Sequence, residues 1–384
     1  MTNNNSKIAF LYLNEQDMIA SGVTDIGRCV DTMAEVFKLL SQDDVLMGGK
    51  SHREHGIQLI FPKESPIPDF PLEDSRDRRF MSMPGYLGGT FHMAGEKWYG
   101  SNGRNIGRGL PRSILMFTLN DVETGQPLAY MSANLLSAVR TGAVPGLVAK
   151  TLAASQPKVV ALLGAGVVNH TSFDALMAVF NSIQSVRILG SSIHSKSAAS
   201  TQQRLNQKYP QIETEICADA KAAVENADIV LEAVSVAGRT WPVLQTDWIK
   251  PGCTIISSGT MAFSDEDTAM QKFRKVVDNR GMYAGYLKTY TEYDAKGVRK
   301  TSGCPGMECV HAIEEGILTE DDVPELGDIL LGKAPGRQSD DEIFMVTVGG
   351  MPILDIGWGT VCYREALKKG IGTQLTLWDE PALI

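Results

Sequence analysis

The sequence predicts an α/β protein: a doubly wound parallel sheet joined to an α+β region built from both chain ends. Three observations carry this. The run from Lys158 to Asn169 reads as a buried apolar strand, a Gly-x-Gly turn and the start of a helix. Five more strand-like runs follow, Ser185–Leu189, Ile212–Cys217, Asp228–Val234, Cys253–Ser257 and Lys275–Asp278, separated by helical or turn-rich stretches long enough for parallel crossovers. The segments before Asn134 read instead as a mainly antiparallel sheet with helices. The central region is therefore expected to be a Rossmann-type domain.

Taken in order, Lys7–Leu13 reads as a strand. Thr24 is expected to cap a helix running to about Leu40, with Ile26, Val30, Met33, Val36, Phe37 and Leu40 on one face. Strands are expected at Gly56–Phe61, Arg79–Met83, Glu96–Tyr99, Ser113–Leu119 and Leu128–Met131, with a turn at Asn120–Gly125. A long helix runs from Asn134 to about Ala154, and Pro145 should kink it. A late helix, Thr360–Lys369, returns to the first region. The predicted division is 1–133 with 320–384, against 134–319.

The 384 residues suffice for two substantial cores. A net charge of −9 without a long basic run argues against nucleic acid or an anionic membrane as main partner. The longest apolar stretch, around Val159–Val168, is too short to span a bilayer. The first residues lack signal-peptide features, so a cytoplasmic protein is expected. The six scattered cysteines read as free thiols. His52 and His55, three apart with no third ligand near, suggest a surface loop or pocket edge, and no metal is expected.

The glycine turn suits a pyrophosphate. Gly164 allows the tight turn, Gly166 a close backbone approach, and the peptide groups of Ala165, Val167 and Val168 face the anion; Asn169 stands where a third glycine is usual. After the second strand, Leu189–Lys196 holds no acid to bond ribose hydroxyls. Ser191, Ser192 and Lys196 suit a 2′-phosphate, which favours NADP and leaves NAD open.

Other segments match a known pattern in order and spacing: Met83–Tyr86, Lys97-Trp98, Asn120-Asp121 with Thr124-Gly125, Arg140–Ala143 and Gly336–Asp340. Through them the chain resembles the ornithine cyclodeaminase/mu-crystallin family over nearly its whole length, and within it the siderophore-pathway branch. Those members oxidise an N-carboxyalkyl amino acid. The resemblance implies a homodimer, with a substrate and dimerisation domain built from both chain ends and a Rossmann domain that binds NAD or NADP. It also implies chemistry at a C–N bond beside a carboxylate: amino-acid oxidation, imine reduction or cyclodeamination.

By the same resemblance Lys97 is the active-site lysine and Arg140 binds the substrate carboxylate. Met83 lines the substrate pocket, Thr141 touches the cofactor phosphate, and Ser235 and Ser258 lie along the cofactor. A second basic group on the carboxylate falls on Lys50 or Arg53, with Lys50 preferred. Asp355 is either a carboxylate near the nicotinamide or a cap of the following helix. Cyclodeaminases carry an aspartate where this chain has Thr260, which counts against cyclodeamination. The siderophore branch tends to carry an acid where Ala262 stands, and Ser264, Asp265 and Glu266 follow closely. The glycine-rich run Ser101–Arg112, with three arginines, reads either as a lid over a polycarboxylate or as a plain solvated loop. The expected function is an NAD(P)-dependent oxidoreductase on a small amino-acid-like substrate. A redox-neutral cyclodeaminase and a dinucleotide-dependent binding protein are the alternatives.

Overall fold

The computed structural model describes residues 6–73, 75, 77–234, 241–297 and 299–383. The chain divides into two units, one comprising residues 1–25, 42–140 and 350–384, the other 26–41 and 141–349.

The first unit is built on an eight-stranded sheet. Its strands are β1 (Ile8–Leu13), β2 (Val45–Met47), β3 (Ile57–Ile60), β4 (Arg79–Leu87), β5 (Met93–Ser101), β6 (Ser113–Asp121), β7 (Pro127–Ser132) and, from the other chain end, β17 (Thr373–Trp378). The order is β17-β1-β7-β6-β5-β4-β2, with β3 also paired to β4. Only β1 and β7 run parallel in this sheet. Alternation along the strands turns Met81, Met83, Lys97, Phe117, Leu119 and Met131 inward. A short helix, α1 (Glu15–Ala20), is opened by a reciprocal capping box between Asn14 and Asp17. Helix α11 (Pro352–Lys369) packs on β4, β5 and β6. Pro352 opens it, and Gly370, left-handed at φ +66°, closes it behind Lys368 and Lys369. Trp358, fully buried on this helix, donates from Nε1 to the Val23 carbonyl at 3.1 Å.

The second unit carries the parallel sheet. Helices α2 (Ile26–Leu40) and α3 (Asn134–Leu152) precede it, and the division between units falls inside α3, at Arg140/Thr141. Then come β8 (Val159–Leu163), α4 (Val167–Val179), β9 (Ser185–Leu189), α5 (Lys196–Lys208), β10 (Glu213–Ile216), α6 (Ala220–Val224) and β11 (Ile229–Glu232). They are followed by β12 (Val243–Leu244), β13 (Thr254–Ser257), β14 (Ala262–Phe263), α7 (Glu266–Lys272), β15 (Arg274–Val277), α8 (Arg280–Tyr290), α9 (Pro305–Glu314), α10 (Leu326–Leu330) and β16 (Phe344–Thr347). All pairs in the large sheet are parallel, in the order β10-β9-β8-β11-β13-β16-β15. Strands β8, β11, β13 and β16 are almost entirely buried, as a sheet covered on both faces requires.

Several expectations need correction. Phe344–Thr347 was not expected as a strand, yet it lies between β13 and β15, so the second unit extends to Gly349 rather than 319. Four uniformly buried residues show no alternation, and so short an apolar run carries little periodic signal. The unit also takes in α2, which packs against α4 and α10. Thr24 does not cap α2: it belongs to the turn Ser21–Thr24, and Asp25 intervenes. The late helix starts eight residues before Thr360. Pro145 lies within α3. Of the arginine loop, Gly103–Arg108 forms a 3-10 turn capped by Asn102, and Arg112 pairs with Asp77 at 2.6 Å. No helix among the described residues is long and apolar enough to cross a membrane.

Candidate active site

Lys97, Ser137, Arg140 and Asp355 come from three elements of the first unit and meet in its interior. The inward face of β5 places Lys97, and α11 places Asp355 in its first turn, where the helix dipole favours a carboxylate. Ser137 and Arg140 sit three apart on α3 and share a face. Lys97 Nζ donates to Asp355 Oδ2 at 2.7 Å and to Ser137 Oγ at 3.2 Å. Arg140 donates through Nε to Asp355 Oδ1 at 3.0 Å and through a terminal nitrogen to Ser137 Oγ at 3.3 Å. Lys97, Arg140 and Asp355 are exposed by only 2%, 4% and 0%. Asp355 is thus a bridging carboxylate inside its helix. The capping alternative falls, because Met351 is the capping residue.

The electrostatics follow from burial. Desolvation, reinforced by the Arg140 charge, lowers Lys97 to about 8 against the pull of Asp355. Burial opposes ionisation of Asp355, but Arg140 and Lys97 outweigh it and hold the carboxyl below its usual range. Two cations therefore face one carboxylate, and the surplus positive charge suits an incoming anion.

His55, on the loop before β3, completes this corner. Its Nδ1 is bonded to the Gly350 carbonyl, and burial, then Lys97, pulls the ring down to about 4, which leaves the imidazole neutral near pH 7. A Cβ at Gly350 would stand 3.2 Å from both Arg140 Nη1 and His55 Cε1, a crowding that glycine avoids. The preference for Lys50 is not met: Lys50 is exposed, Arg53 pairs with Asp43, and His55 is the residue of this loop beside Arg140. Met83 is buried directly across the β4–β5 ladder from Lys97. Sequence reasoning missed Ser137, although its spacing from Arg140 was a signal, and it placed His55 no closer than a pocket edge.

In the second unit, Gly164 is left-handed at φ +98°, and a Cβ there would lie 2.9 Å from the Ala233 carbonyl. Gly166 precedes α4 with no side-chain cap and with open space at its own Cβ position, so the helix start, with Ala165, Val167 and Val168 around it, suits a phosphate. Asn169 takes over from the missing third glycine: its amide donates to the Leu163 and Gly164 carbonyls at 2.9 and 2.7 Å and fastens the turn to the helix. Ser191 and Ser192 are exposed after β9, and Ser195 caps α5 ahead of exposed Lys196. Thr141 follows Arg140 in α3, and Ser258 N donates to the Glu232 carbonyl at 2.7 Å. Ser235 lies outside the described residues. Asp265 accepts from Thr246 N at 3.1 Å. The carboxylate beside Thr260 comes from an unexpected residue, Glu232, which accepts from Thr260 N at 3.2 Å. A charge ending the apolar run Ile229–Leu231 was the signal for it.

The profile of the ornithine cyclodeaminase/mu-crystallin family matches residues 23–370. The chain belongs to that family. Among similar proteins, an N-((2S)-2-amino-2-carboxyethyl)-L-glutamate dehydrogenase of Staphylococcus aureus is 28% identical, over 96% of this chain and 98% of its own. Among solved folds, the Δ1-pyrroline-2-carboxylate reductase of Thermococcus litoralis, in complex with NADH and L-proline, superposes with TM-score 0.73 at 23% identity, covering 95% of this chain and 99% of its own. An archaeal alanine dehydrogenase dimer with bound NAD gives the same TM-score at 24% identity, over 97% of this chain and 100% of its own. The family match agrees with the resemblance read from the motifs around Lys97 and Arg140.

Proposed function

We propose that the protein is an NAD(P)-dependent oxidoreductase acting on a C–N bond beside a carboxylate in an amino-acid-derived substrate. The observation that carries this is the Asp355 carboxylate held between two buried cations, Lys97 and Arg140. Arg140 grips the substrate α-carboxylate with its terminal nitrogens while Nε stays on Asp355. Lys97 moves the proton of the substrate nitrogen; its lowered pKa suits a group that gives and takes protons near neutrality. Asp355 positions both cations, and Met83 supplies an apolar wall.

The second unit is read as the dinucleotide domain. Gly164, Ala165, Gly166, Val167 and Val168 would hold the pyrophosphate, with Thr141 and Ser258 along the same ligand. Ser191, Ser192 and Lys196 would receive a 2′-phosphate, which favours NADP. A nicotinamide held there would supply hydride transfer to or from the substrate carbon. In the oxidative direction that carbon loses hydride and the nitrogen loses its proton to neutral Lys97, giving an imine. With a secondary amine, water then splits the imine into an amine and a keto acid. The relative from Staphylococcus aureus supports an N-carboxyalkyl amino acid as substrate class.

A homodimer is part of this reading. The outward face of the first unit's sheet exposes Phe80, Trp98, Ile114 and Met116, and Phe80 stacks on Trp98 at 5.6 Å.

The test is absorbance at the reduced-nicotinamide band, with NADP+ or NAD+ and a panel of amino acids and N-carboxyalkyl amino acids, and with NADPH or NADH and cyclic ketimines. Turnover that Lys97→Ala abolishes is expected. Silence across the panel despite dinucleotide binding would overturn the proposal.

A further inference from the structure

The C-terminal ends of β11 and β13 are joined by a buried carboxylate that the proposed chemistry does not use. Glu232 ends β11 directly opposite Ser257, which ends β13. Its side chain, 1% exposed, crosses to the neighbouring turn. Oε1 accepts from Val234 N at 2.6 Å and Thr260 N at 3.2 Å; Oε2 accepts from Ser257 Oγ at 2.6 Å and Gly259 N at 3.2 Å. The fit is tight, since a Cβ at Gly259 would lie 2.8 Å from Glu232 Oε1 and from the Val234 carbonyl. Thr260 Oγ1 is buried there without a hydrogen-bond partner among the described residues. A buried polar atom of that kind calls for an explanation, and a bound water or ligand group is one.

The topology says which part of a ligand this corner serves. The strand order turns around between β8 and β11, and dinucleotides lie across the carboxyl ends of the strands at such a switch point. The glycine turn after β8 takes the pyrophosphate, and the end of β9 takes the adenosine ribose. The ends of β11 and β13 are left for the other mononucleotide. We propose that Glu232 is a positioning residue for the nicotinamide half of the dinucleotide, fixing the β11 and β13 turns against which that half docks. The inference rests on the reading of the second unit as a dinucleotide domain. Glutamate suits the task because an ionised carboxylate only accepts, and all the groups aimed at it here are donors. Burial raises its pKa to about 7, so pH 8 keeps it ionised.

The experiment is calorimetric binding of NADPH, NADH and ADP, which lacks both the nicotinamide and its ribose, to the full chain at pH 8. Glu232→Gln presents an amide donor to a set of donors. It should weaken the preferred reduced dinucleotide about tenfold or more while ADP binds as to wild type. Ser257→Ala removes one donor and should shift binding in the same direction by less, and it serves if the first variant does not fold. Equal weakening of both ligands, or no change in either, would overturn the positioning role. Failure of the unaltered protein to bind any of the three would overturn the dinucleotide reading itself.

Discussion

Lys97 Nζ and Asp355 Oδ2 lie 2.7 Å apart although 258 positions separate the two residues in sequence. Asp355→Asn keeps the shape but removes the charge that faces Lys97 and Arg140. Breaking a buried ion pair from one side costs about 3–5 kcal/mol. Denaturant unfolding should show a loss of that order, and turnover should fall with it.

The pH profile should depend on direction. Lys97 titrates at about 8, lowered by burial and by Arg140. Imine reduction needs the ammonium as proton donor, so its rate should be flat below pH 8 and fall above it. Amine oxidation needs the neutral amine and should rise through the same pH. Initial rates in both directions between pH 6 and 10 check this; two profiles falling together would sink the assignment.

Arg140→Lys keeps a positive charge and loses the planar fork. One nitrogen cannot reach Asp355 and a substrate carboxylate together, as the proposed role asks of the guanidinium. KM for the acidic substrate should rise about ten- to hundredfold, with a smaller change in kcat. Steady-state kinetics on the substrate found in the panel would measure it.

Cofactor choice should be reversible at α5. Lys196→Glu places an acid beside Ser191 and Ser192, where a 2′-phosphate is repelled and ribose hydroxyls are bonded. The ratio of Kd values for NADPH and NADH should move toward NADH. An unchanged ratio would place the 2′ group elsewhere.

Trp98→Asp introduces a charge into the outward patch beside Phe80 and Met116. Light scattering should find a dimer for the unaltered chain and mostly monomer for the variant, with the far-ultraviolet circular dichroism spectrum retained.

What was readable beforehand was mostly local. The turn at Gly164 and Gly166 follows from backbone freedom within a few residues, and strand patterns alternate over short windows. Lys97 and Arg140 were found through the motifs around them. The bond that unites them was not readable, because Asp355 joins them from the far end of the chain. Counting basic side chains favoured Lys50 over Arg53 and passed over a histidine, which is neutral at its site beside Arg140. Asn169 looked like a defect in the glycine fingerprint; it is a fastening, visible only once its amide is seen on the Leu163 and Gly164 carbonyls. Glu232 drew no reading from the sequence, because three of its four donors lie on β13 and the turn after it.

The place of β16 sets the order in which the molecule can be completed on the ribosome. β15 joins the large sheet only through β16, and β16 joins it through β13. While residues up to 343 emerge, β15 has only the single bridge from Val277 to Glu325, and β13 keeps one open edge. Some seventy residues beyond β15 must be made before both edges close at once. A nascent chain halted in that interval holds a finished glycine turn on an unfinished sheet, a stage at which chaperones or proteases find exposed strand edges. C-terminal truncation anywhere before Thr347 should therefore cost the whole second unit rather than only its last strand.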